Sequence, residues 1–139
     1  MAAPTIEQVT SVIPTIRKFV SKSQLSVLAD GCRSQEANWF KTQIVELANL
    51  FNTMPKSYEQ DGAGDNAVAH LHYFNASMDW YITERDRVDE QHQAFGLASL
   101  GFDTPELGYI SIVELIENGV ELDLHFTPTT IGELKKRYT

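Results

Sequence analysis

The spacing of apolar residues changes midway along this chain, and that change restricts the fold more than any other feature. Up to Met54 apolar side chains recur every three to four residues, as on one face of a helix; from Ala67 they alternate, as in a strand. Thr5-Ile6-Glu7-Gln8 has capping-box spacing and Ile6, Val9, Ile13 and Ile16 follow it, so a first helix is expected from about residue 6, kinked or interrupted at Pro14. Residues 22–33 offer only Leu25, Val27 and Leu28, too few to choose between a helical turn and a short strand. Trp39, Phe40, Ile44, Leu47, Leu50, Phe51 and Met54 make the broadest apolar face, on a helix expected over about 35–53 with Ser34 as cap and Pro55 as stop.

Residues 57–66, with Gly62-Ala63-Gly64 at their centre, have no period and read as a loop inside one domain, between a helical part (1–56) and a second part (67–139). Beyond it Val68, His70, His72 and Phe74 are expected on one side of a strand, with Ala69, Leu71 and Tyr73 on the other. Asn75-Ala76-Ser77 turns the chain into a second strand over 78–84, and further strands are expected over 94–100, 106–110 and 120–126. Ser111 with Glu114, and Thr130 with Glu133, mark two short helices. Helices followed by strands specify an α+β fold, here with an antiparallel or mixed sheet of four to five strands and helices packed on one face.

Charge is distributed unevenly. Residues 1–56 hold six basic and four acidic side chains, a net of +2, and residues 127–139 also sum to +2. Residues 57–126 hold Arg85 and Arg87 against fourteen acidic side chains, a net of −12. A field of that sign repels phosphate backbones and anionic lipid surfaces, which disfavours direct nucleic-acid binding and membrane docking. It attracts basic surfaces, such as the nucleic-acid channel of another protein, and it also serves plain solubility. No apolar run reaches the roughly 18 residues of a membrane span, and the N-terminus has no basic patch ahead of an apolar run, so a soluble, cytoplasmic protein is expected. The single cysteine, Cys32, leaves stability to core burial.

The sequence contains no nucleophile-elbow, P-loop or dinucleotide motif, and no motif calls for a cofactor. His70 and His72, two apart on an expected strand, share a face and could hold a divalent metal with His92, His125, Asp79 or Glu84; they also read as ordinary sheet histidines. Glu84, Asp86, Asp89 and Glu90 offer paired carboxylates, or simply a solvated acidic loop. The aromatic set Tyr73, Phe74, Trp80, Tyr81, Phe95 and Tyr109 is divided between core packing and interface anchoring.

The ordered series Tyr73-Phe74, Trp80-Tyr81-Ile82-Thr83-Glu84, Phe95-Gly96, Glu106-Leu107-Gly108-Tyr109-Ile110-Ser111, Glu114-Leu115, Glu121-Leu122-Asp123-Leu124 and Phe126-Thr127-Pro128 resembles a small uncharacterised family encoded largely on plasmids, phages and integrative elements, often among antirestriction genes. The resemblance runs over residues 68–134 and implies a mobile-element setting, with no catalytic residue or cofactor to carry over. Together with the acidic segment it leads to an expected non-enzymatic role: a counter-defence inhibitor, of antirestriction or anti-CRISPR type, that presents its acidic region to the basic channel of a host defence nuclease or CRISPR complex. The residues expected to carry this are Glu84, Asp86, Asp89, Glu90, Glu121 and Asp123, with Trp80, Tyr81 and Tyr109 as anchors. Alternatives are a metal-dependent hydrolase or nuclease using His70 and His72, or an accessory subunit of plasmid transfer or replication assembling through residues 35–53.

Overall fold

A computed structural model describes residues 2–88, 90–101 and 104–139. Three helices open the chain: α1 (Ile6–Ile16), α2 (Lys22–Gly31) and α3 (Ala37–Thr53). Thr5 and Gln8 exchange the two bonds of the capping box, at 3.1 and 2.8 Å. Pro14 does not interrupt α1; it lies in the last turn, two residues before the helix ends, where lacking an N–H it forgoes the bond to the Thr10 carbonyl while the chain leaves the helix within a few residues. The ambiguous segment 22–33 is helical as far as Gly31, capped by the Ser21 hydroxyl on the Gln24 N–H. Ser34 is not the cap of α3. Its hydroxyl is spent on the connection instead, accepting from the Glu36 N–H and donating to the Gly31 carbonyl.

The sheet part comprises β1 (Val68–Ala69), β2 (Leu71–Asn75), β3 (Met78–Glu84), β4 (Ala94–Ser99), β5 (Glu106–Ile110), α4 (Ile112–Glu117), β6 (Glu121–Leu122), β7 (Thr129–Thr130) and α5 (Ile131–Lys136). Five strands form an antiparallel sheet in the order β5-β4-β3-β2-β6, and β1 pairs antiparallel with β7 in a separate two-stranded ribbon. The architecture is α+β, with N-terminal helices followed by sheet.

Both faces of the sheet are covered, where helices on one face were expected. On one face Leu71, Tyr73, Ile82, Ala94, Ile110 and Leu122 pack against Val9, Ile16, Ile44, Ala48 and Phe51 of the helices. Tyr73 is buried there, its phenol donating to the Phe19 carbonyl at 2.5 Å, and burial pushes its pKa far up. On the other face Tyr81 and Leu97 meet Ala67, Ala69, Ile131 and Leu134, so α5 and the β1–β7 ribbon supply a second, smaller core. This second cover is what makes a clean alternation of buried and exposed positions fail along β3 and β4.

The strand expected over 120–126 is only two residues long. After Leu122 the Asp123 carboxylate accepts from the His125 N–H and bends the chain away. The short β6 edge is closed by the Gln24 side chain, which donates to and accepts from the Leu122 backbone at 2.8 and 2.9 Å. β5, at the opposite edge, leaves Leu107 and Tyr109 exposed.

Candidate functional site

β3 and β4 pair in register as far as Ile82↔Gly96, then slip so that Glu84 rather than Thr83 lies opposite Phe95. Without this bulge Glu84 would face the same side as Ile82, into the helix-covered apolar core; the extra residue turns its carboxyl to the side of Phe95. Gly96 permits the slip, since a Cβ there would collide with the Tyr81 carbonyl oxygen and sit 3.0 Å from Ile82 Cα.

Glu84 thereby lines a cleft of about 440 Å³ between the β4–β5 end of the sheet and the 57–64 loop. Phe95, Leu107 and Tyr109 form the sheet wall; Ser57, Tyr58, Gln60 and Asp61 belong to the loop wall. The loop is pinned by Gln60, whose side chain donates to the Val68 and Thr83 carbonyls and accepts from the Val68 N–H. Tyr58 holds φ at 76°, a left-handed conformation that bulky side chains rarely adopt. Its hydroxyl meets that of Tyr109 at 2.7 Å, tying loop to strand, and this bond, with a little burial, raises the Tyr109 pKa. Arg87 lies over the Tyr58 ring and donates to the Ser57 carbonyl. Glu84 itself is 5% exposed, accepts from the Thr83 hydroxyl, and has no ion pair among the described residues.

The acidic set therefore separates. Glu84 and Asp86 are buried, not solvated. Asp86 organises its loop, accepting from the Val88 and Gln93 N–H groups at 3.1 and 3.0 Å, while its own N–H is taken by the buried Gln91 side chain. Glu90 and Glu121 are exposed, Asp123 is half-buried, and Asp89 lies outside the described residues. Among the expected anchors Tyr109 is 57% exposed, Trp80 packs half-buried against the helical core, and Tyr81, on a central strand covered on both faces, is 3% exposed and unavailable to a partner.

His70 and His72 do not form the expected pair. The chain leaves the main sheet at His70, because β1 pairs with β7, and the alternation breaks there: Ala69 joins the α5-side core while Leu71 joins the other. His70 lines a small cleft with Gln43, Glu46 and Leu47 of α3, and burial lowers its pKa. His72 stacks on Tyr81 with ring centroids 4.6 Å apart, on the α5 side. Its Nδ1 is 3.0 Å from Asp123 and its Nε2 2.7 Å from Asp79, so both ring nitrogens are engaged by carboxylates. Tyr138 extends the chain, donating to Asp79 and meeting the Tyr81 hydroxyl. Burial alone would raise the Asp123 pKa; the hydrogen bonds from His72 and the His125 N–H, with the charges of both histidines, outweigh it and lower it. No group of three or more metal-ligating side chains is assembled among the described residues.

Sequence reasoning missed Tyr58, Gln60 and Gln91, which lie in aperiodic segments where residue type gives no position. The adjacent strands Met78–Glu84 and Ala94–Ser99, with Gly96 in the second, carried the one usable hint, since a glycine inside a strand marks a bulge or a close backbone approach.

The sequence profile of a family described as "Protein of unknown function (DUF2958)" matches residues 41–132, which include the cleft lining and His72, Asp79 and Asp123 but not Tyr138. No curated protein and no solved structure matches the chain.

Proposed function

We propose, for a chain that belongs to the DUF2958 family of proteins of unknown function, a non-catalytic role: binding a basic protein partner through the acidic surface of residues 57–126. The observation that supports it is the state of the two basic residues in this segment. Arg85 donates to the Asp86 carbonyl and Arg87 to the Ser57 carbonyl, both directed to backbone, while Glu90, Glu106, Glu114, Glu117 and Glu121 are exposed. An excess of exposed carboxylates steers a cationic partner and repels nucleic acid. In the mobile-element setting that the sequence resemblance implies, the partner is a nucleic-acid-handling host defence complex and the outcome is its inhibition.

The test is the establishment efficiency of a plasmid or phage in cells that each carry one restriction or CRISPR system, with the protein or with its Glu90→Lys/Glu121→Lys variant. Protection against one system, lost in the variant, supports the reading and identifies the partner. Binding to that partner should then weaken as salt rises. No protection across the panel, or protection that charge reversal leaves intact, would overturn it.

A further inference from the structure

We propose that the cleft between β5 and the 57–64 loop is a socket for one arginine side chain of the basic partner, with Glu84 receiving the guanidinium. The inference deepens the binding-module reading and rests on it for the sign of the partner's charge.

Three local costs converge on this cleft. The bulge at Ile82/Glu84 interrupts the β3–β4 ladder at the residue that aims Glu84 outward from the core. Glu84 is then left 5% exposed with a single side-chain hydrogen bond among the described residues, from Thr83, on one of its two oxygens. A carboxyl group so placed is expensive to bury without a counter-charge, and none is supplied by the described residues. Tyr58 is held at φ 76° to form part of the opposite wall. Strain of this kind persists where a site requires it.

The shape and lining select the guest. The volume lies within the roughly 300–1,000 Å³ of small-ligand sites, and the charged side chains that line it, Asp61 and Glu84, are both acidic, beside the neutral polar groups of Ser57, Tyr58, Gln60, Thr83 and Tyr109. Phe95 and Tyr109 meet edge to face with centroids 5.7 Å apart, presenting aromatic surface beside the acid. A guanidinium suits that combination better than an ammonium: it stacks on aromatic faces through its plane and offers paired donors to one carboxylate. Arg87 already lies over the Tyr58 ring, with its guanidinium carbon 5.7 Å from the ring centroid.

The test titrates the full chain with a capped Gly-Arg-Gly peptide, followed by amide NMR shifts, against the same peptide carrying citrulline or lysine. The expected result is saturable shifts at Gly62, Gly64, Phe95 and Tyr109, with citrulline binding at least about tenfold more weakly and lysine at least about threefold more weakly. Glu84→Gln should abolish saturation. Should that variant fold poorly, Tyr109→Phe, at an exposed edge position, should retain stability and lower affinity by loosening the Tyr58 contact. The socket is overturned by absence of saturation, by citrulline binding as well as arginine, or by shifts confined to the surface around Glu90 and Glu121. Lysine binding as well as arginine overturns the guanidinium assignment. Peptide binding without any protected defence system would sink the functional reading and leave the socket; partner binding without peptide binding would do the reverse.

Discussion

Gly96 and Gly108 stand directly opposite each other in the β4–β5 ladder, yet replacing each with alanine should give opposite results. At Gly108 a Cβ meets nothing within 4 Å. At Gly96 it would run into the Tyr81 carbonyl oxygen, with the carbonyl carbon at 2.8 Å and Ile82 Cα at 3.0 Å. These are backbone atoms of the central strand, held by β2 on the far side, so no side-chain rotation relieves the clash and β3 must move away from β4. Overpacking of well-packed sites costs about 1–3 kcal/mol, and a backbone collision belongs at the upper end, about 3 kcal/mol. For a domain of this size that lowers Tm by about 10 °C. Gly108→Ala should fall within about 1 kcal/mol of the parent, on the favourable side if the lost glycine entropy dominates. Thermal melts followed by circular dichroism, with urea titrations for the free-energy difference, read both variants. Equal Tm values for the two alanine variants would refute the bulge geometry and with it the account of how Glu84 reaches the cleft.

Asp86→Ala should destabilise the protein by about 2 kcal/mol, because two backbone N–H groups lose their acceptor at a buried site. Glu90→Ala, on an exposed side chain of the same loop, should shift stability by less than about 0.5 kcal/mol; comparable urea midpoints for the two would contradict the assignment of Asp86 to the framework. The His72 network predicts an acid limb. A carboxyl whose folded pKa is depressed contributes stability above its unfolded value, about 3.9 for aspartate, and loses it as pH falls through the folded value. Stability should therefore fall more steeply below about pH 4 in the parent than in Asp123→Asn. Parallel acid limbs in urea midpoints measured from pH 6 to 2 would show that Asp123 carries no such linkage.

The sequence by itself determined the α+β order and most element boundaries, because these rest on local physics. A capping box at Thr5, an alternation through Tyr73 and a turn at Asn75-Ala76-Ser77 act within a few residues and need no knowledge of neighbours. It also determined the charge of the acidic segment, although not which carboxylates reach the surface. Tertiary structure alone decided three matters. The β1–β7 pairing, between residues about sixty positions apart, broke the alternation at His70 and separated two histidines that spacing had joined. The second core around Ile131 and Leu134 took Tyr81 out of reach of any partner. A one-residue slip against β4 sent Glu84 into a cleft instead of the apolar core. Each outcome depends on a contact between segments distant in the chain. Residue type and periodicity fix what a side chain prefers, whereas the pairing partner across the sheet fixes which side it faces.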